Sequence, residues 1–134
     1  MASLGGCYCG RIRYEAAGPI SQESICHCSI CRKTTGAPFV AWFSVPRTRF
    51  KFVLGEPKSF KSTPKATRTF CSHCATQLTF EHEDRADFID ITTCSLDDPG
   101  AAAPKDHIWT LSRVPWIKLD DHLPEYSRYP PAQP

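Results

Sequence analysis

Three cysteines fall within six residues, Cys26, Cys28 and Cys31, and two cations, Arg32 and Lys33, follow them directly. Four more, Cys7, Cys9, Cys71 and Cys74, form a CxC and a CxxC pair, and Cys94 is the eighth. Thiols at CxCxxC spacing cannot pair off as disulfides without strain, because near-adjacent Cβ vectors rarely meet disulfide geometry. A soft divalent ion removes the conflict, since Zn²⁺ takes cysteine sulfur at about 2.3 Å in a tetrahedral arrangement. The set Cys7, Cys9, Cys71 and Cys74 is complete by this count. A site joining residues 9 and 71 adds folding free energy directly, on the order of 10 kcal/mol in zinc peptides, so a structural role is expected for it. The trio Cys26, Cys28 and Cys31 brings only three ligands. Either it is a second structural site closed by Cys94, His107 or another residue, or it keeps a position for water or substrate.

Three thiolates make a bound ion electron-rich and a poorer source of hydroxide than a three-histidine zinc, so thiol chemistry suits this trio better than hydrolysis. Zinc deaminase chemistry wants a Glu two residues after the first ligand, where Cys28 stands. Arg32 and Lys33 are candidates for receiving a substrate carboxylate, and His107, Asp97 and Asp98 for carrying protons. His27, between two ligands in extended chain, is expected to be a hydrogen-bonding neighbour; Tyr8 should point away from the metal and His73 should be exposed at its knuckle. Two other classes stay open: a zinc-stabilised binding module without catalysis, and a thiol oxidoreductase using Cys94 as nucleophile.

Positioning these groups calls for strands and tight turns. Residues 11–16 alternate polar and apolar side chains, which predicts a strand with one buried face. Aromatic and β-branched residues between prolines predict a buried strand over 37–46, and Phe50, Phe52 and Leu54 alternate as core residues of another. Further strands are expected at 59–62, 66–70, 77–82 and 87–94, with a loop at 100–104. Residues 29–35 fit one or two helical turns, with Ser29 as N-cap and Gly36 as the stop. The position after the second knuckle cysteine often needs positive φ, and there the chain carries Ala75 rather than glycine. The prolines of the C-terminal tail argue against long helices, and fraying is expected from Pro130 onward.

A chain of 134 residues, 41% hydrophobic and 22% charged, fits one globular domain over 1–134. No apolar stretch approaches the roughly 20 residues needed to cross a bilayer, and the first residues lack a cationic segment followed by an apolar run. With eight cysteines, that points to a reducing, cytoplasmic setting in which metal binding outranks disulfides. The formal charge of +2 counts the cysteines as neutral; seven thiolates against two divalent ions would move it to −1. No basic stripe for nucleic acid then remains, and no membrane partner is expected.

The motifs Gly5-Gly6-Cys7-Tyr8-Cys9-Gly10, Cys26-His27-Cys28-Ser29-Ile30-Cys31-Arg32-Lys33, Gly36-Ala37-Pro38-Phe39, Arg68-Thr69-Phe70-Cys71-Ser72-His73-Cys74, Ser95-Leu96-Asp97-Asp98-Pro99 and His107-Ile108-Trp109 to Trp116 together resemble the glutathione-dependent formaldehyde-activating enzyme family, whose domain is shared with centromere protein V. The resemblance implies a mostly β, Mss4-like fold of several coiled sheets and two Zn²⁺ per chain, a structural one on Cys7, Cys9, Cys71 and Cys74 and a second on Cys26, Cys28 and Cys31. It also implies a carbon–sulfur lyase, similar to S-hydroxymethylglutathione synthase, that joins glutathione or a related thiol to formaldehyde or another small aldehyde, or reverses that step. The chain departs from the family pattern at Ala75, where glycine is usual, and at Cys94, which precedes Ser95 and could close the second site.

Overall fold

A computed structural model of the chain describes residues 2–131. Among these residues, the chain forms strands β1 (Ser3–Gly6), β2 (Arg13–Ala16) and β3 (Ser21–Cys26), helix α1 (Ser29–Thr35), then β4 (Val40–Pro46), β5 (Phe50–Leu54), β6 (Lys58–Thr63), β7 (Ala66–Phe70), β8 (Gln77–His82), β9 (Phe88–Thr92) and β10 (Asp106–Ile108). The protein is therefore mostly β. The strands make two sheets, ordered β1-β2-β5 and β10-β3-β4-β9-β8-β7-β6. Pairing is antiparallel except where β10 lies parallel to β3.

Alternation along β4 divides the interior. Phe43 and Val45 enter a cluster with Leu78, Ile89 and Ile91 of the large sheet and with Ile12, Tyr14, Ala16 and Phe50 of the small-sheet side. Trp42, on the opposite face, joins a second cluster with Cys26 and Cys31, flanked by Phe80, Ile108 and Trp109. Cys7 and Cys71 belong to the first cluster. Each cysteine group is thus seated against its own apolar patch.

The alternating segment 11–16 pairs only from Arg13, yet Ile12, Tyr14 and Ala16 form its expected buried face. Leu54 is not a core residue: it is 55% exposed. Between Arg13 and Tyr14 the register with β5 shifts, so that Phe52 opposes Tyr14 while Leu54 opposes Arg13. The irregularity breaks the two-residue period and leaves Leu54 beside an outward-facing residue.

The helix occupies the expected residues, but Cys28 rather than Ser29 caps it. Its sulfur accepts from the Cys31 amide at 3.2 Å, and Gly36 closes the helix at φ 68°. The expected strand 87–94 ends at Thr92, where Thr93–Ser95 turns as a 3₁₀ segment, and Pro99–Ala102 is a second such turn inside the expected loop. Strands β1, β3 and β10 were not expected. β1 is half glycine, and its Gly5 lies so close to Tyr14 that an added Cβ would sit 2.3 Å from the phenolic oxygen. The expected fraying falls largely on residues 132–134, outside those described. No described helix is long and apolar enough to cross a membrane.

Candidate metal centres and active site

Two turns bring the four-cysteine group together. In the first, the Cys7 amide donates to the Ile12 carbonyl and the Ile12 amide donates back to Cys7 Sγ at 3.3 Å. In the second, the Ala75 amide donates to the Cys71 carbonyl at 2.8 Å while the His73 and Cys74 amides point at Cys71 Sγ. Ala75 adopts φ +66°, the left-handed conformation that the knuckle position requires. The Tyr8 amide donates to Thr76 Oγ1 and so ties the turns to each other. Tyr8 is 93% exposed, and His73 is exposed as well.

The sulfurs lie at metal-binding rather than disulfide separations. Cys7 and Cys9 are 3.6 Å apart and Cys9 and Cys71 3.8 Å. Ligands at about 2.3 Å from a tetrahedral centre stand about 3.8 Å from one another, whereas a disulfide is about 2.05 Å. All four ligand atoms lie within 4.8 Å of each other. The Thr76 hydroxyl and amide help hold Cys74 down to about 5, which favours a thiolate.

The trio is assembled differently. Cys26 ends β3, fixed between Val40 of β4 and Ile108 of β10. The His27 amide then donates to the Ile108 carbonyl, Cys28 caps the helix, and Cys31 lies on its buried side. Cys26 and Cys31 sulfurs are 3.6 Å apart, and the three ligand atoms again fall within 4.8 Å. Among the described residues no fourth His, Cys, Asp or Glu ligand atom joins them. Hydrogen bonds from Cys26 and Cys31, aided by the Cys31 amide and Arg68, draw Cys28 well below the usual thiol range, while contacts with Cys28 and Cys31, together with burial, push Cys26 up. One charge is welcome in the bare trio and three are not; a divalent cation is the partner that lets all three ionise.

Arg68 stands at the head of the motif that ends at Cys74, where the sequence by itself assigns it no role at the site. It is 3% exposed, and its Nη2 lies 3.6 Å from Cys31 Sγ. Nε donates to Ser62 Oγ at 3.2 Å and Nη1 to Thr34 Oγ1 at 3.4 Å. Its guanidinium carbon sits 4.9 Å from the Phe80 ring centre and 5.7 Å from that of Trp42. The alternation of 66–70 carried the signal, since Arg68 shares the inward face with buried Ala66.

His27 is fully buried beside the trio, its Nε2 2.9 Å from Nδ1 of the equally buried His107. His107 Nε2 lies 2.8 Å from the Asp121 carboxylate. Burial, then the nearby Arg113 and His107, lowers His27 to about 4 and keeps it neutral. The pattern is satisfied when His107 Nε2–H donates to Asp121 and His27 Nε2–H donates to His107 Nδ1. The chain of rings therefore fastens β10 and residue 121 to the segment carrying Cys26 and Cys28. His107 has both nitrogens engaged and no exposed surface.

Arg32 and Lys33 diverge around the helix. Lys33 is exposed on a groove of about 360 Å³ with Ile30, Thr34, Phe60, Lys61 and Ser62, while the half-buried Arg32 does not line it. A larger cavity of about 600 Å³ opens between the Cys74–Thr76 turn and the end of α1, lined by Thr34, Thr35, Ala75, Thr76 and the exposed Cys94. Cys94 is not among either ligand group. Asp97 is held by Arg13, whose Nη1 is 2.9 Å from Oδ1, and its carboxyl lies below the usual range for that reason. Asp98 caps the Gly100 amide.

A crystal structure of a Rhodobacter sphaeroides protein, a structural-genomics target, superposes with a TM-score of 0.62 at 17% identity, covering 75% of this chain and 97% of that one; this likeness concerns the fold. A protein of Schizosaccharomyces pombe described as an uncharacterized lyase is 32% identical over 78 residues, 58% of this chain. The chain thus spans a little over half, 56%, of that relative's length. The glutathione-dependent formaldehyde-activating enzyme family matches residues 2–112, a span that holds every cysteine, Arg68, His27 and His107 and stops before Asp121. On that match, the chain belongs to the glutathione-dependent formaldehyde-activating enzyme family.

Proposed function

We propose that this protein, as one domain over 1–134, is a zinc-dependent carbon–sulfur lyase that joins a thiol such as glutathione to formaldehyde or another small aldehyde, or reverses the step. Cys7, Cys9, Cys71 and Cys74 hold a structural Zn²⁺, and Cys26, Cys28 and Cys31 hold the second. In the forward direction the thiol sulfur bonds to the carbonyl carbon, the C=O π pair moves to oxygen, and that oxygen takes up a proton. Zinc at the trio would lower the pKa of an incoming thiol and orient its sulfur. The chain's own part is to keep three sulfurs converged from one short segment, with His27 turned into its bond with His107 and Arg68 set against Cys31. Lys33, on its groove next to the helix, suits a substrate carboxylate better than Arg32 does. His107 acts here by orienting His27 and not by touching substrate.

The observation that carries this reading is the unequal donor count, four sulfurs at one site and three at the other among the described residues. A closed thiolate set suits structure; a set of three leaves a position for a reactant. A cytoplasmic, reducing setting fits a chain whose cysteines stay unpaired.

The test is a glutathione titration of cobalt-substituted protein, followed in the cobalt absorption bands, beside a turnover assay with formaldehyde and glutathione. Glutathione is expected to change the bands of the trio's ion only, and Cys28→Ser to lower turnover at least 100-fold while the fold survives. Unchanged turnover in a folded Cys28→Ser protein rules the mechanism out, and bands indifferent to glutathione favour a binding module without catalysis. Because Cys94 is exposed in the larger cavity, the same assay includes Cys94→Ser. Turnover within twofold of wild type is expected; its loss there alone would move the assignment to a thiol oxidoreductase.

A further inference from the structure

We propose that Arg68 is the fixed counter-charge of the Cys26, Cys28 and Cys31 site, and that it disposes the site to accept an anionic rather than a neutral fourth ligand. The inference rests on the reading that these cysteines hold a divalent ion.

A guanidinium with 3% exposure needs a compensating anion, because an unpaired buried charge is costly. Among the described residues no carboxylate stands within ion-pair distance of Arg68. Its hydrogen-bond partners are two neutral hydroxyls, Ser62 and Thr34, and the sulfur of Cys31. The aromatic faces of Phe80 and Trp42 add attraction without charge. The anion of this environment is therefore the thiolate cluster.

The charge balance gives the consequence. Three thiolates and a divalent ion carry one net negative charge, which Arg68 cancels. An anion entering as fourth ligand then meets a neutral unit; without Arg68 it would meet a negative one in a partly buried site, where like charges repel far more strongly than in water. A neutral ligand pays no such penalty. The same N–H···S contact draws electron density from Cys31, which makes the ion a better acceptor. The hydroxyls that hold the guanidinium, Thr34 and Ser62, also line the Lys33 and Lys61 groove, so substrate seated there lies next to the charge that favours its thiolate.

Arg68 is on this account a positioning residue, and its effect is read in ligand preference, without turnover. Cobalt-loaded wild type, Arg68→Gln and Arg68→Lys are titrated with azide, 2-mercaptoethanol and imidazole, and the band changes of the trio's ion give each affinity. Arg68→Gln is expected to weaken azide about tenfold or more relative to imidazole, while Arg68→Lys, which keeps the charge, stays within threefold of wild type. Equal loss for azide and imidazole in Arg68→Gln makes Arg68 a packing residue and overturns the proposal. So does an Arg68→Lys protein that loses its preference for azide, which decides the matter alone if Arg68→Gln does not fold. Should wild type take azide and imidazole but no thiol, the lyase reading fails while the azide-to-imidazole ratio still judges Arg68. A wild-type site that takes none of the three is closed, and both readings fall.

Discussion

The two cysteine groups use one ligand type at similar sulfur separations, yet the chain reaches them by opposite routes. Cys7, Cys9, Cys71 and Cys74 come from two turns 62 residues apart between Cys9 and Cys71, and Cys7 and Cys71 are built into the main core. Cys26, Cys28 and Cys31 come from one strand end and the helix that follows, against a separate patch of Trp42, Phe80, Ile108 and Trp109. A ligand set gathered from distant segments closes a long loop and makes metal binding a large part of folding. A ligand set from one segment closes almost none. Its geometry has to come from neighbours, here β4 and β10 on either side of Cys26, Arg68 behind Cys31 and the His27–His107 bond. The lesson is that a metal can serve a fold or be served by it.

The sharpest way to break this contrast is to remove one ligand from each group. Cys71→Ser is expected to abolish cooperative folding, since structural zinc contributes on the order of 10 kcal/mol. Cys28→Ser is expected to keep cooperative unfolding and to lose one of two metals. Circular dichroism melts with metal counting on both variants would show it, and two equally folded or two equally unfolded proteins would erase the distinction.

A smaller effect tests the claim that neighbours hold the trio. His107→Phe leaves the buried His27 Nε2 without its partner, while Asp121 at 36% side-chain exposure returns to water. A loss of about 2 kcal/mol in urea unfolding follows from the cost of one unsatisfied buried group. Metal counting on the same protein should show weaker retention at the trio and an unchanged four-cysteine site; an unaltered unfolding midpoint would show that the ring chain holds nothing.

The least change falls on the four-cysteine group. Ala75 at φ +66° carries a Cβ where glycine would be unstrained. Ala75→Gly is expected to raise stability by about 1 kcal/mol with turnover unaltered, measured as a shift in the urea midpoint. A destabilised Ala75→Gly protein would mean that the methyl group packs in a way that outweighs its strain.

Local reading of the chain reached a good deal of this. Period-two alternation exposed the inward face of Ile12, Tyr14 and Ala16, and the helix ran over its expected residues because Gly36 can close it left-handed. The same alternation misplaced Leu54, since a register shift depends on the partner strand and leaves no mark in residues 50–54 themselves. Strands β1, β3 and β10 escaped notice for a related reason: β1 is half glycine, β3 is interrupted by Gln22 at φ +51°, and β10 is three residues that pair with a strand some eighty positions away.

What the sequence determined by itself was the chemistry on offer: seven cysteines at spacings that disulfides do not suit and a soft divalent ion does, in a β-rich chain. Spacing can fix this because ligands two or three residues apart share a turn whatever the remainder of the chain does. Only the tertiary structure decided which groups surround those ligands. Arg68 lies 37 residues from Cys31 and His107 lies 80 from His27. Their meeting follows from sheet order and register, which are set by the whole core at once. Charge compensation and orientation at the site are therefore properties of the fold, whereas the ligand set is a property of the chain.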